Sequence, residues 1–429
     1  MKKFLSFLIF IFPFSTIYSQ SPVPDATRES NQTNAFFGSS VSSAGDVNGD
    51  GFADVIIGAY CYDNGHTDEG RAYIFHGSLS GISSTPIITL EPNQTTAYFG
   101  WSVSKAGDVN GDGYDDIIVG AYGYKNVEND EGRVFIYHGS PTGISTTPAL
   151  TLEINQADAY FGWSVSKAGD VNNDGFDDII IGADQFDNGQ TNEGRAYVYH
   201  GSATGINPSP MTILESNQSF AYFGYSVSDA GDVNNDGFDD VIVGAYKFDN
   251  VESNEGSVFV YLGSDTGIIS APSAILEINQ SEAYFGYAVS SAGDINADGY
   301  GDVIVGATLY DLGQANEGAA FVYTGSSSGI ITSPSSILQS NQTNSNFGNS
   351  VADAGDFNGD GFSDVIIGAN NYDKVQNNEG RAYIYLGSVS GINMAYLQPF
   401  EPNDLEISFG FSVACAGDIN GDGYDDVLA

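Results

Sequence analysis

The sequence predicts an all-β fold, a seven-bladed β-propeller of four-stranded antiparallel blades with calcium loops, whose last blade is incomplete in this chain. Three observations lead there. A nine-residue pattern, Asp-x-Asn-x-Asp-Gly-x-x-Asp, starts at Asp46, Asp108, Asp170, Asp232, Asp294, Asp356 and Asp418, always 62 residues apart. A period held that tightly is one supersecondary unit copied end to end. Each copy carries short apolar runs of strand length, separated by clusters of Gly, Asn, Asp and Pro, and no stretch has a helical period. A sheet that is apolar on both faces needs neighbours on both sides, and copies set radially supply them while closing the ring. A linear solenoid would need atypical polar end copies, and the sequence has none.

The elements follow in chain order. Lys2 and Lys3 precede an apolar run from Phe4 to Phe14, and a polar stretch ends at Ser19 and Gln20, the pattern of a secretory signal peptide over residues 1–20. The run falls short of the ~20 apolar residues that span a membrane, and no later segment approaches such a span. No Cys lies near the cleavage region, which argues against a lipid-anchored start. The repeat domain then occupies residues 21–429. In copy two, Phe99 to Gly107 is the first strand and Asp108 to Asp116 the acidic loop. Ile117 to Ala121, Arg133 to His138 and Leu150 to Leu152 are the second, third and fourth strands. The period exceeds the ~40–50 residues of common propeller blades, and the acidic loop and a long loop before the third strand account for the excess. Thr27 to Gln32 match the exit of a fourth strand elsewhere, such as Ile213 to Gln218. The chain is therefore expected to begin with the outer strand of its last blade, stapling the ring shut. It stops at Ala429, inside the second strand of copy seven, and reads as C-terminally incomplete.

A formal net charge of −43, with only twelve Lys and Arg, excludes a general nucleic-acid binder, because phosphate affinity comes from cationic side chains. Much of the acid sits in the repeated loops, where like charges repel unless a cation lies between them. Cys61 follows the second strand of copy one and Cys415 lies near the end of the first strand of copy seven. Those positions fall at opposite ends of the unit, so two unpaired thiols are expected.

Calcium takes ~6–8 oxygen ligands, and loops supply them with carboxylates at alternating positions, a Gly for the turn and a main-chain carbonyl. The candidate ligands are positions 1, 3, 5, 7 and 9 of each pattern, with position 7 acting through its main-chain oxygen. They are Asp46, Asn48, Asp50, Phe52 and Asp54 in copy one, then Asp108, Asn110, Asp112, Tyr114 and Asp116 in copy two. Asp170, Asn172, Asp174, Phe176 and Asp178 follow, then Asp232, Asn234, Asp236, Phe238 and Asp240. Asp294, Asn296, Asp298, Tyr300 and Asp302 belong to copy five, and Asp356, Asn358, Asp360, Phe362 and Asp364 to copy six. Asp418, Asn420, Asp422, Tyr424 and Asp426 complete the set. A plain hairpin turn explains the glycine but not four side-chain oxygens recurring in every copy. An EF-hand wants a Glu at position 12 and flanking helices, whereas here position 12 is apolar and strands flank the loop. At position 8, Asp115, Asp177, Asp239 and Asp425 add charge where Ala53, Gly301 and Ser363 do not, which predicts weaker binding in copies one, five and six.

The Phe-Gly that opens each copy (Phe37-Gly38, Phe99-Gly100, Phe161-Gly162, Phe223-Gly224, Phe285-Gly286, Phe347-Gly348, Phe409-Gly410), the acidic loop, and the Gly-Ala that ends the next strand (Gly58-Ala59, Gly120-Ala121, Gly182-Ala183) together resemble FG-GAP repeats. Those repeats build the seven-bladed propeller of integrin α-subunits and of related secreted proteins. The resemblance covers essentially all of the mature chain. It implies calcium in the loop between the first and second strands on one face, and partner binding on the opposite face. Two departures stand out: integrin α-subunits carry the calcium loop in only some blades, and here Gly-Ala is followed by Tyr, Asp, Thr or Asn in place of the frequent Pro.

Catalysis needs a group placed once, and nearly every notable residue here recurs by copy. His76, His138 and His200 share one register at the end of the third strand, where later copies have Leu262, Thr324 and Leu386, so a packing role is expected. Paired Asp residues suit glycoside hydrolysis, but these lie in the acidic loops and are committed there. The expectation is a secreted or cell-surface, calcium-binding, non-enzymatic adhesion or recognition module that meets an extracellular protein or glycan surface. The alternative is an accessory or catalytic propeller of a secreted hydrolase or lyase. Partner binding belongs on residues that vary between copies. Two positions before the aromatic of the long loop stand Tyr60, Tyr122, Asp184, Tyr246, Thr308 and Asn370. Tyr60, Tyr122 and Tyr246 are the candidate anchors, on the face away from calcium.

Overall fold

The computed structural model describes residues 26–375, 377–397, 399–401 and 408–429. The expected signal peptide lies outside them. Copy one folds as strands Phe37–Gly45, Asp54–Ala59, Arg71–Phe75 and Ile88–Leu90, paired antiparallel in that order. Copies two to five repeat the arrangement. Copy six gives a three-stranded sheet, Phe347–Gly355, Asp364–Ala369 and Arg381–Tyr385, with Phe400 bridging to Ala382 where a fourth strand would run. Copy seven contributes only Ala414–Gly417 paired with Asp426–Leu428. The described residues thus form six blades, not the expected seven, and a two-stranded hairpin fills the remaining sector.

The N-terminal segment also departs from expectation. Residues 26–30 form no strand. Instead the Arg28 guanidinium donates to the carbonyls of Ile82 (2.9 Å) and Ser83 (2.8 Å), on the turn after the third strand of copy one.

The second strand explains why blades stack. Asp54–Ala59 is buried at every residue, and the period-two alternation of a strand sends its side chains to opposite faces. Ile56 joins Ala72 and Ile74 in a core shared with Phe99, Val119 and Phe135 of copy two. Val55 and Ile57 join Tyr73 and Phe75 in a core that takes in Ala416, Ile419 and Leu428 of copy seven. One apolar run therefore feeds two inter-blade cores, and the second of them joins the last copy to the first.

The Phe-Gly and Gly-Ala pairs make that stacking close. Phe99 is fully buried, and its amide donates to the Glu69 carbonyl of the preceding copy (3.0 Å). Gly100 has φ +82° and backs onto Gly58, so a Cβ on Gly58 would overlap the Gly100 carbonyl oxygen. Two bare backbones meet there, which only glycine on both sides permits.

Candidate functional site

The acidic loops lie at one end of the blades, between the first and second strands. Copy three is representative. The Asp170 carboxylate accepts from the amides of Asp174 (3.0 Å) and Gly175 (2.8 Å), Asn172 Oδ1 accepts from Asp174 N (2.9 Å), and Asp174 Oδ1 accepts from Phe176 N (3.1 Å). Gly175, at φ +89°, makes the turn. Asp178, at position 9, is fully buried, and its two oxygens accept from Val171 N (3.0 Å) and Gly201 N (2.8 Å). Burial pushes its carboxyl up to about 8 against the pull of those two amides. The same bonds recur at Asp116 and Asp240.

Positions 1, 3 and 5 thus shape the loop by gathering amides around their own oxygens, while position 9 pins its base. Among the described residues, no three His, Cys, Asp or Glu side chains converge as a cage. The donor set is nevertheless all oxygen, three carboxylates and an amide per loop with a main-chain carbonyl, which suits a hard cation.

Position 8 does not serve its own loop. The Asp177 carboxylate accepts from Asp108 N of the preceding copy (2.8 Å), and Asp115, Asp239 and Asp425 do the same for Asp46, Asp170 and Asp356. The expected weakening of calcium in copies one, five and six therefore loses its premise: the side chain bridges blades. The glycine before each loop makes room for it, since a Cβ on Gly107 would overlap the Asp177 carboxylate. A backbone bond underlies each bridge, from the position-8 amide to the position-1 carbonyl of the preceding copy. It runs from Asp115 to Asp46 (3.2 Å), onward through the ring, and finally from Ala53 back to Asp418 (3.1 Å).

The opposite end carries the aromatic residues. Phe37 pairs with Ala59, so the residue after Phe-Gly and the residue after Gly-Ala emerge together, away from the acidic loops. Tyr60, Tyr122 and Tyr246 all lie there, half-buried in a belt of rings and not standing free. Tyr60 stacks on Phe36 (5.1 Å) and meets the edge of Trp101 (4.8 Å). Tyr122 stacks on Tyr98 (5.1 Å) and lies 5.0 Å from both Trp101 and Trp163. Tyr246 packs on Tyr225 (4.4 Å), and Lys247 Nζ sits 5.0 Å over Tyr222 and 5.2 Å over Tyr246. Asp184, at the same register in copy three, is buried, and burial holds its carboxyl well above the usual carboxylate range.

The residue directly after Phe-Gly is not among the candidates read from the sequence. Ser39, Trp101, Trp163, Tyr225, Tyr287, Asn349 and Phe411 occupy that register and together rim an open depression of about 380 Å³. Trp101 and Trp163 lie 4.6 Å apart, Trp163 and Tyr225 5.6 Å, and Tyr225 and Tyr287 5.0 Å. The signal was available: a register that varies between copies, next to a pair that does not, at the start of a strand that runs from this face to the acidic loop.

The remaining candidates pack. His76, His138 and His200 press against the turns at Gly143, Gly205 and Gly267 of the next copy, and burial lowers the affinity of each ring for a proton. Cys61 and Cys415 are free thiols, and burial pushes Cys61 up to about 12. Among the described residues no helix is long and apolar enough to cross a membrane.

The sequence profile of the FG-GAP repeat matches residues 37–75, 99–137, 161–199, 223–261, 285–323 and 347–385. Integrin alpha-5 of Xenopus laevis is 33% identical over 256 residues, 57% of this chain and 23% of that protein. Integrin alpha-4 of Xenopus laevis is 36% identical over 188 residues, 42% and 17% of the two chains, and integrin alpha-V of Gallus gallus 34% over 220 residues, 49% and 20%. The matched region spans less than a quarter of each of these relatives.

Proposed function

This chain belongs to the FG-GAP repeat family of β-propellers, and from that premise we propose that it is a secreted or cell-surface recognition module, not an enzyme. The observation that carries the reading is the aromatic face: a belt of rings from Phe36 to Tyr287 that borders an open depression, on a molecule whose formal charge is −43. Apolar and aromatic surface left open at a ring mouth marks an interaction site, and the integrin alpha relatives support adhesion as the context. The partner is an extracellular protein or glycan surface. The alternative, a propeller attached to a secreted hydrolase or lyase, has no observation in its favour among the described residues.

The acidic face holds the blades in register and is the place for calcium. Asp170, Asn172, Asp174, the Phe176 carbonyl and Asp178 would hold the ion in copy three, and the equivalent residues elsewhere. Bound calcium supplies positive charge where carboxylates crowd together. Each loop's own residues do the rest: positions 1, 3 and 5 fold the loop onto its amides, and position 9 fixes it to the next strand.

The test is retention of labelled protein on cells or extracellular matrix. A Trp101→Ala, Phe411→Ala variant with unchanged circular dichroism should lose most of its retention, because buried aromatic anchors supply much of an interface's energy. Retention equal to the parent's would remove the aromatic face from the function.

A further inference from the structure

The depression is lined unevenly, and the unevenness points to a ligand class. Rings occupy four successive sectors, at Trp101, Trp163, Tyr225 and Tyr287, whereas copy six contributes three amides, Asn346, Asn349 and Asn370. Asn349 is committed to the rim: its Nδ2 donates to the carbonyls of Gly410 (3.1 Å) and Phe411 (3.0 Å), and its Oδ1 accepts from Asn370 N (3.0 Å). Asn370 Oδ1 and Ser39 Oγ are closed off from solvent, and the polar lining of the depression comes from the side chains of Ser40, Thr308, Asn346 and Asn370 beside the committed Asn349. No charged side chain is among the residues lining the depression.

From this arrangement, and resting on the recognition reading above, we propose that the depression binds a neutral pyranose, the terminal or branch sugar of a glycan. A pyranose has a face of C–H groups that lies flat on aromatic rings, and an edge of hydroxyls that donate and accept. The rings of copies two to five match the first, and the neutral polar side chains of Ser40, Thr308, Asn346 and Asn370 on the lining match the second. A cationic side chain fits less well. No carboxylate lines the cavity, and Tyr284, one of its lining residues, already has Lys247 Nζ 5.9 Å from its ring, so a second cation would meet a like charge at the edge.

The chain has two tryptophans, Trp101 and Trp163, and both line the depression, so intrinsic tryptophan emission reports this site alone. The parent protein is titrated with the methyl glycosides of glucose, galactose, mannose and N-acetylglucosamine, and separately with argininamide. At least one glycoside should change the emission saturably while argininamide does not. Asn370→Ala should weaken that glycoside about tenfold, the effect of losing one hydrogen bond from the lining. Because the titration of the parent needs no variant, misfolding of Asn370→Ala cannot hide the answer. A response to argininamide and to no glycoside, or to neither, would overturn the proposal. Surface retention that depends on Trp101 and Phe411 but is unaffected by any glycoside would leave the recognition reading standing and sink only the sugar.

Discussion

Asp177 belongs to the loop of copy three in sequence and to the loop of copy two in space, 69 residues away, where it caps the Asp108 amide at 2.8 Å. Asp177→Ala leaves that half-buried amide without its side-chain acceptor, and urea melts should show a loss of about 1–3 kcal/mol. The converse change is available at the closure. Ala53 stands where other copies carry this Asp, beside Gly417 in the last copy, whose φ of +75° matches that of the glycines facing Asp177 and Asp115. Ala53→Asp should therefore gain about 1 kcal/mol by capping Asp418 N. Two unchanged melts would deny the bridge any energetic role. Position 8 was legible as acidic and variable, but not as a bridge. A linear reading assigns a side chain to the loop that contains it, and only the sideways stacking of blades brings it to the neighbour's backbone.

At the scale of the strand, the apolar runs and the glycine pairs were legible because each follows from local chemistry. The all-apolar second strand reads as buried on both faces, and Gly-Ala and Phe-Gly read as fixed features of the copy. What the sequence did not show is that Gly58 of one blade touches Gly100 of the next. Gly58→Ala would force a Cβ into a backbone carbonyl that cannot move without separating two blades, and should cost about 3 kcal/mol. Gly81→Ala is the control. Gly81 has φ +83° and open space around its missing Cβ, so the change should cost only about 1 kcal/mol of backbone strain. An equal or smaller loss at Gly58 than at Gly81, measured by denaturant melts, would mean that blade contact is looser than the structure shows. The aromatic mouth was half legible for a similar reason. Strand direction put Tyr60, Tyr122 and Tyr246 at the end opposite the acidic loops, where they lie, but the depression is rimmed mainly by the register after Phe-Gly, with Thr308 and Asn370 joining from the tyrosines' own register.

For the whole molecule, the period revealed the blades and the radial logic, since a unit apolar on both faces has to be stacked. It did not reveal how the last sector is filled. That depends on how a two-stranded hairpin packs Ala416, Ile419 and Leu428 against Val55 and Ile57, with the loop-to-loop backbone bonds completing the circle through Ala53 and Asp418. Those bonds draw the acidic loops into one girdle, which concentrates negative charge at that end of the blades. Calcium in these loops, as proposed above, would offset the mutual repulsion of the carboxylates and hold the propeller together. Thermal melting in calcium and in excess chelator, at matched ionic strength set with sodium chloride, tests it most directly. An ion bound only by the folded form adds about 2.7 kcal/mol per site at a hundred times its dissociation constant, so the melting temperature should be at least several degrees higher with calcium. Superimposable curves in calcium and in chelator would contradict it.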